Sequence, residues 1–383
     1  MTVAGKTLWE ISARVRRGQR KPLRWLLYSG GSPLPRFEKH LVLYALVLSA
    51  GGILTFPACA SAVGLPEVKI PKQSDWTLVG NVFERGASHS WDARLHGQIS
   101  PCSLVKKDGV YYLYYIGADG NRKDGGPAHR ALGVAIGADG ICFKKYRNNP
   151  IITHLPHHNT EEGVFSAGAT LDDNGDIVLY WTAILARDST TTQVNSNIHI
   201  AVSENGVDFE KRRVVLQFSD PEVPSNDEIG ALGAFHANGR WHLYYFSKGG
   251  VPAWSLVHAS GPTRDSFPQK GKIILDASQE SQQVIGGGDP VWLSDNKLAL
   301  FLVCSFDRER IEVRTISLDS PDDLSSPVET YKFDGWRHAT VFLDREMGKW
   351  FLYHRKRQGD AIFVRTAPVV LSNHVTRRRG EEE

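Results

Sequence analysis

After residue 75 no long stretch of the chain repeats its apolar positions with a helical period. Apolar and polar positions instead alternate in short runs rich in β-branched and aromatic residues. Each run is bounded by Gly, Asn or Asp, the pattern of half-buried strands joined by tight turns. Five runs share one form: "DGVYYLYYIGADG" (108–120), "NGDIVLYWTAILA" (174–186), "NGRWHLYYFSKGG" (238–250), "DNKLALFLVCSFD" (295–307) and "MGKWFLYHRKRQG" (347–359). Their turn landmarks Gly109, Gly175, Gly239, Asn296 and Gly348 lie 66, 64, 57 and 52 residues apart.

A second apolar piece follows each run. "LGVAIGADGICFKK" (132–145) and "IHIAVSENGVDFEK" (198–211) share A-[IV]-x-x-[DN]-G-x-x-F, with Asp139 and Asn205 again 66 apart. Weaker forms begin at 255 and 311, and "IFVRTAPVVL" (362–371) keeps the strand but not the turn. A third piece, rich in Gly and Ala, precedes each run: "QISPCSLV" (98–105), "GVFSAGATL" (163–171), "EIGALGAFHA" (228–237), "VIGGGDPVWL" (284–293) and "RHATVFL" (337–343). Small residues suit strands whose backbones crowd together. The fold class is therefore all-β, and a repeat of three or more strands at this spacing predicts a five-bladed β-propeller over 75–371. The Gly/Ala-rich pieces are expected to line the channel and the aromatic strands to pack blade on blade. The last repeat lacks its outer strand, and "DWTLVGNVF" (75–83) is expected to supply it. A pair of β-sandwiches competes, but does not account for the shared spacing.

Composition changes the picture at the N-terminus. The 383 residues are 41% hydrophobic and 10% aromatic, enough for a sizeable core. The net charge of +3 hides an asymmetry: residues 1–40 carry +7, residues 41–60 carry none, and the remainder is −4. A mildly acidic body argues against a nucleic-acid partner. A basic head, an apolar run over 41–56 and the small residues of "ACASA" predict a secretory signal cut near Ala60 or Ala62. This gives a segment 1–62, a linker 63–74, the propeller and a charged tail 372–383, in a secreted or periplasmic (cell-envelope) protein. An uncleaved membrane anchor and a lipoprotein cut at Cys59 are the alternatives, though Phe56 and Pro57 suit the latter poorly. Cys102, Cys142 and Cys304 show neither metal nor disulfide spacing and read as small apolar residues.

In such a repeat, chemistry gathers where the inner strands begin. Repeat one places Trp91, Asp92, His96 and Gln98 there. Repeat two places Glu161 and Glu162, repeat three Asp227 and Glu228, repeat four Asp289, and repeat five Trp336, Arg337 and His338. Crowded carboxylates repel, so one can stay protonated beside an ionised neighbour. That pairing is what glycosidic cleavage needs, and Trp91 and Trp336 offer faces for a sugar. The loop "THLPHHNTEEG" (153–163) has no metal-site spacing and reads as a surface or substrate-contacting loop.

These repeats, the "YYLYY" hairpin and the A-x-S-x-[DN]-G-x-x-F turns resemble the five-bladed propeller glycosidases, glycoside hydrolase families 43, 32, 117 and 130. The resemblance covers residues 75 to about 371. It implies an Asp in blade one, a pKa-tuning Asp in blade two and a Glu acid in blade three. The carry-over is partial. Where family 43 has its first Asp, this chain reads "SPCS", leaving Asp92 nearest. Ala169 holds the blade-two place, and the Asp-Pro pair stands in blade four at Asp289-Pro290. His338 resembles a family 43 histidine beside a central cation, which implies a channel Ca²⁺; no cofactor is otherwise required. The first expectation is a glycoside hydrolase acting on a glycan, with Asp92 as base or nucleophile, Glu228 as acid, and Glu162 and Asp289 tuning pKa or binding hydroxyls. Glycoside phosphorolysis, with Arg337 and His338 holding phosphate, is the second. A glycan-binding propeller without catalysis is the third.

Overall fold

The computed structural model describes residues 64–93, 99–119, 130–153, 161–185, 196–217, 228–248, 254–276, 284–304, 310–333, 336–356 and 360–372. The signal-like segment 1–62 and most of the charged tail therefore lie outside the described residues. Apart from one 3-10 turn at Gln73–Asp75, the regular structure described is all β-strand.

The five repeats emerge as five antiparallel meanders. A leading strand, β1 (Thr77–Glu84), comes first. Meander one is β2 (Ser100–Lys107), β3 (Val110–Ala118), β4 (Arg130–Gly137) and β5 (Phe143–Lys145). Meander two is β6 (Glu161–Leu171), β7 (Ile177–Leu185), β8 (Ser196–Ser203) and β9 (Glu210–Leu216). Meander three is β10 (Glu228–Ala237), β11 (Arg240–Lys248), β12 (Ser255–Gly261) and β13 (Lys272–Leu275). In meander four the first strand is broken into β14 (Val284–Gly287) and β15 (Val291–Ser294). Both pair with β16 (Lys297–Cys304), which pairs with β17 (Arg310–Ser317); β18 (Ser320–Leu324) and β19 (Glu329–Lys332) complete it. Meander five is β20 (Trp336–Asp344), β21 (Lys349–Lys356) and β22 (Ala361–Pro368). Its fourth strand is β1, which pairs antiparallel with β22 from Thr77 opposite Thr366 to Glu84 opposite Ala361.

The local chemistry explains the hairpins. Asp108-Gly109 and Asn238-Gly239 turn with both residues at positive φ, 51° and 76°, then 51° and 70°. That geometry matches the right-handed twist of the strands it joins.

Among the described residues, apolar side chains do not form one central core. They form five, each between successive meanders. Tyr114 and Trp181 lie in the core between one and two, Tyr180 and Trp241 between two and three, and Phe235 and Leu300 between three and four. Phe301 and Trp350 lie between four and five. The fifth joins the ends of the series: Tyr111 and Tyr115 of meander one pack against Phe351 and Tyr353 of meander five, with Val82 of β1. The first strands contact in the same cyclic order, β2 with β6, β6 with β10, β14 with β20, and β20 with β2. At two points there the strands leave no room for a side chain. A Cβ on Gly168 would lie 2.4 Å from the Leu232 carbonyl, and one on Gly233 2.6 Å from Pro290.

Candidate functional site

Each first strand is dislocated near its start. Register slips between Pro101 and Ser103 in β2, Val164 and Ala167 in β6, and Ala231 and Gly233 in β10. It slips again between Val284 and Gly286 in β14 and between Arg337 and Ala339 in β20. A β-bulge breaks the alternation of faces and re-aims side chains. Here residues at or beside all five bulges line one cavity of about 130 Å³.

Its polar lining is Ser100, Arg130, Ser166, His338 and Arg355. Its apolar lining includes Ile116, Phe165 and Phe246. His338 occupies the bulge of β20 with φ of 47°, a left-handed conformation that costs a non-glycine residue energy. Arg355 is buried. The Arg130 guanidinium lies over the Phe165 ring, 5.6 Å from its centroid. Phe165 in turn stacks on Trp254 of meander three at 6.4 Å and 10°. Meanders one, two and three thus meet in one stack beside the cavity, and a cation–π contact of this kind holds a guanidinium in place.

One step further along the same strands sits Asp289. Ser103 donates its hydroxyl to this carboxyl, and the Ala169 amide donates at 3.1 Å. The Ala169 amide also donates to the Ser103 hydroxyl at 2.9 Å. Burial outweighs these donors and pushes Asp289 up to about 8. A protonated Asp289 then suits its place between crowded backbones better than a charge would. Burial likewise pushes the Cys102 thiol up to about 12, so it stays neutral in the cavity wall.

The expected site residues separate into groups. His338 lines the cavity and Asp289 lies beneath it. Glu161, Glu162, Glu228, Trp336 and Arg337 occupy the first residues of β6, β10 and β20, at the strand ends nearest the cavity lining. Their side chains lie outside what is described, as do His96, Gln98 and Asp227 altogether.

Asp92 does not line the cavity, contrary to the expectation of a base or nucleophile at the mouth. It is 1% exposed and ion-paired to Lys145 of β5 at 2.6 Å, with Ser90 donating at 2.5 Å and Tyr115 at 3.4 Å. Trp91 explains the placement. Its indole is seated where Gly117 and Gly133 lack side chains, and packs on Tyr115 at 5.5 Å. That draws Asp92 against Gly117 and the neighbouring sheet. Trp91 is therefore half-buried packing and not an open sugar platform.

Sequence reasoning missed Arg130, Phe165, Ser166 and Arg355. One signal was available for Arg355. Antiparallel pairing returns the end of each aromatic strand to the start of the first strand, and Arg355 stands directly opposite Arg337.

The lining also bears on the expected channel Ca²⁺. Calcium takes six to eight oxygens, usually with carboxylates among them. The described lining offers two guanidiniums and an imidazole, and the nearby Asp289 carboxyl is engaged by hydrogen-bond donors. These residues do not fit the ion. Among the described residues no group of three His, Cys, Asp or Glu is placed to hold a metal.

No protein-family model matches the chain, and no curated protein matches it. Solved structures do. A β-1,2-mannobiose phosphorylase from Listeria innocua, solved with β-1,2-mannobiose, superposes with a TM-score of 0.54 at 12% identity, over 79% of this chain and 96% of that one. A structure described as a glycoside hydrolase gives 0.59 at 9% identity over 80% and 94%. A glycosyl hydrolase from Bacteroides ovatus gives 0.52 at 13% identity over 79% and 93%. The chain has the fold of the propeller glycosidases and glycoside phosphorylases.

Proposed function

We propose that this protein is a five-bladed β-propeller that cleaves a glycan at the mouth of its central cavity. The observation that carries the reading is the convergence of all five first strands, each bulged near its start, on one cavity lined by polar and apolar residues. The five cores in cyclic order support the blade count. In the hydrolytic reading Glu228, at the start of β10, is the acid that protonates the departing glycosidic oxygen. Glu162, at the start of β6, takes the proton of the attacking water. Asp289 is a neutral hydrogen-bonding support beneath them. Asp92, tied to Lys145, is removed from the catalytic pair.

A second reading, phosphorolysis, is favoured by the guanidiniums of Arg130 and Arg355 together with His338, more cationic groups than sequence alone offered. Phosphate would then replace water as the nucleophile, and no base would be needed. The likeness to a mannobiose phosphorylase is compatible with it. Residues 1–62 are proposed to be a secretory signal that delivers the propeller to the envelope or beyond. Among the described residues no helix is long and apolar enough to cross a membrane.

A panel of glycosides assayed with and without phosphate separates the two readings. Release of free sugar without phosphate is the expected result, abolished by Glu228→Gln. Sugar 1-phosphate formed only with phosphate establishes the second reading. Glycan binding without turnover, unaffected by Glu228→Gln, refutes both.

A further inference from the structure

The face that meander two turns to meander three is apolar along most of its length. Val178 and Tyr180 on β7 and Ile198 and Ile200 on β8 share one core there with Ile229 of β10. Alternation puts Thr182 and Ser196 in the same two rows, and both are 0% exposed. A hydroxyl buried among hydrocarbon is costly unless it is bonded. Both are bonded to the first strand of meander three. Ser196 accepts from the Ile229 amide at 2.8 Å and donates to the Ile229 carbonyl at 2.8 Å. Thr182 accepts from the Ala231 amide at 2.7 Å and meets the hydroxyl of the cavity-lining Ser166 at 2.8 Å.

The place of these bonds gives them their meaning. The Ile229 amide belongs to the peptide unit that carries the Glu228 carbonyl, and the Ile229 carbonyl begins the next unit. Peptide units are planar, so one hydroxyl fixes two successive planes directly after the Glu228 Cα. Ala231, held by Thr182, stands at the bulge of the same strand. A misplacement on the order of 1 Å can cost on the order of 10²-fold in rate. A backbone grip beside an acid therefore bears on rate as well as on stability.

We propose that Ser196 is a positioning residue for Glu228. By gripping Ile229 from meander two, its hydroxyl sets the backbone from which the Glu228 carboxyl reaches the departing glycosidic oxygen, and Thr182 holds the bulge behind it. The inference rests on the reading above in which Glu228 is the acid. It applies to hydrolysis and to phosphorolysis alike, since both cleavages protonate that oxygen.

The test compares kcat/KM of the full chain on phenyl and 2,4-dinitrophenyl glycosides of a sugar panel, with and without phosphate. Dinitrophenolate departs without a proton, whereas phenolate needs the acid. Ser196→Ala is expected to lower kcat/KM at least about tenfold on phenyl glycosides and less than about threefold on dinitrophenyl glycosides. Ser196→Thr, which keeps the hydroxyl, recovers most of the loss. Ser203→Ala, which removes a buried hydroxyl at the far end of β8, leaves the ratio between the two substrates unchanged. Should Ser196→Ala fail to fold, Thr182→Val is expected to show the same bias. Equal loss on both substrates, or no loss, overturns this inference alone, because wild type still cleaves and Glu228→Gln still does not. Wild type that cleaves no glycoside, or Glu228→Gln that keeps phenyl-glycoside cleavage, overturns the acid assignment and this inference with it.

Discussion

At the scale of single residues, Asp289 shows burial prevailing over hydrogen bonding. Its folded pKa of about 8 lies above the ordinary 3.8. Between those values the unfolded chain is ionised while the folded one keeps its proton. Stability is thus fully present below the lower value, falls as pH rises through the window, and levels off above about 8. The loss accrues at up to about 1.4 kcal/mol per pH unit. Asp289→Asn, which imitates the protonated form, should flatten this part of the pH–stability profile measured by denaturant unfolding. A variant profile parallel to the wild type would show that Asp289 is ionised.

Asp92 is held differently, buried and ion-paired to Lys145. Asp92→Asn leaves Lys145 without its carboxylate and should cost up to about 3 kcal/mol, less than a fully buried pair because Lys145 reaches water. Unchanged stability with lost turnover would return Asp92 to the catalytic pair. Nothing local in "SWDARL" distinguishes these outcomes, because the partner that decides them lies 53 residues away on β5.

Among the elements, the aromatic hairpins are the structural unit. Trp350 on β21 is fully buried in the core between meanders four and five. Trp350→Ala should cost roughly 3–5 kcal/mol in chemical denaturation. A loss below about 1 kcal/mol would contradict packing of the blades through these strands.

A polar clasp joins meanders three and four. His242 on β11 meets His258 on β12 at 3.0 Å, and His258 meets Asp322 on β18 at 2.5 Å. Lys272 faces Asp322 from β13 at 3.3 Å. Burial, with the neighbouring His258 and Arg240 charges, holds His242 down at about 4, and burial holds His258 below its usual value despite Asp322. Both folded values lie below the ordinary 6.5, so their stabilisation is present above it and is lost as pH falls towards about 4. Across that range the histidines act against the Asp289 contribution, so His242→Gln should gain melting temperature relative to wild type as pH falls, which paired melting curves measure. Equal slopes of melting temperature against pH would remove the clasp from the account.

The hairpins were legible in the sequence because their information is local. Alternation marks the strands, and Asp-Gly or Asn-Gly pairs mark the turns. Bulges are not local. They arise where five strands crowd one axis, so the residues they aim, Phe165 and Ser166 among them, carry no mark in their own segments. The broken first strand of meander four is a further case. "VIGGGDPVWL" reads as one strand piece, so neither its break nor the lodging of Asp289 beside Ser103 and Ala169 was legible there.

For the whole molecule, closure is the decisive feature. The strand that precedes the first repeat completes the last, and Val82 contributes to the core joining meanders one and five. Deleting residues 64–84 should expose the edge of β22 and replace one cooperative unfolding transition by a broadened one in calorimetry. An unchanged transition would mean that closure is not needed for cooperativity.

The central claim is that the mouth of this ring, at the starts of the first strands, is where a glycan is cleaved. A crystal structure of Glu228→Gln with a bound oligosaccharide tests it most directly. The account predicts a sugar ring at the mouth, against Phe165, Arg130 and His338, with residue 228 within hydrogen-bonding distance of a glycosidic oxygen. A sugar bound elsewhere, such as the outer groove between Asp176 and Arg264, with the cavity mouth empty, would contradict it.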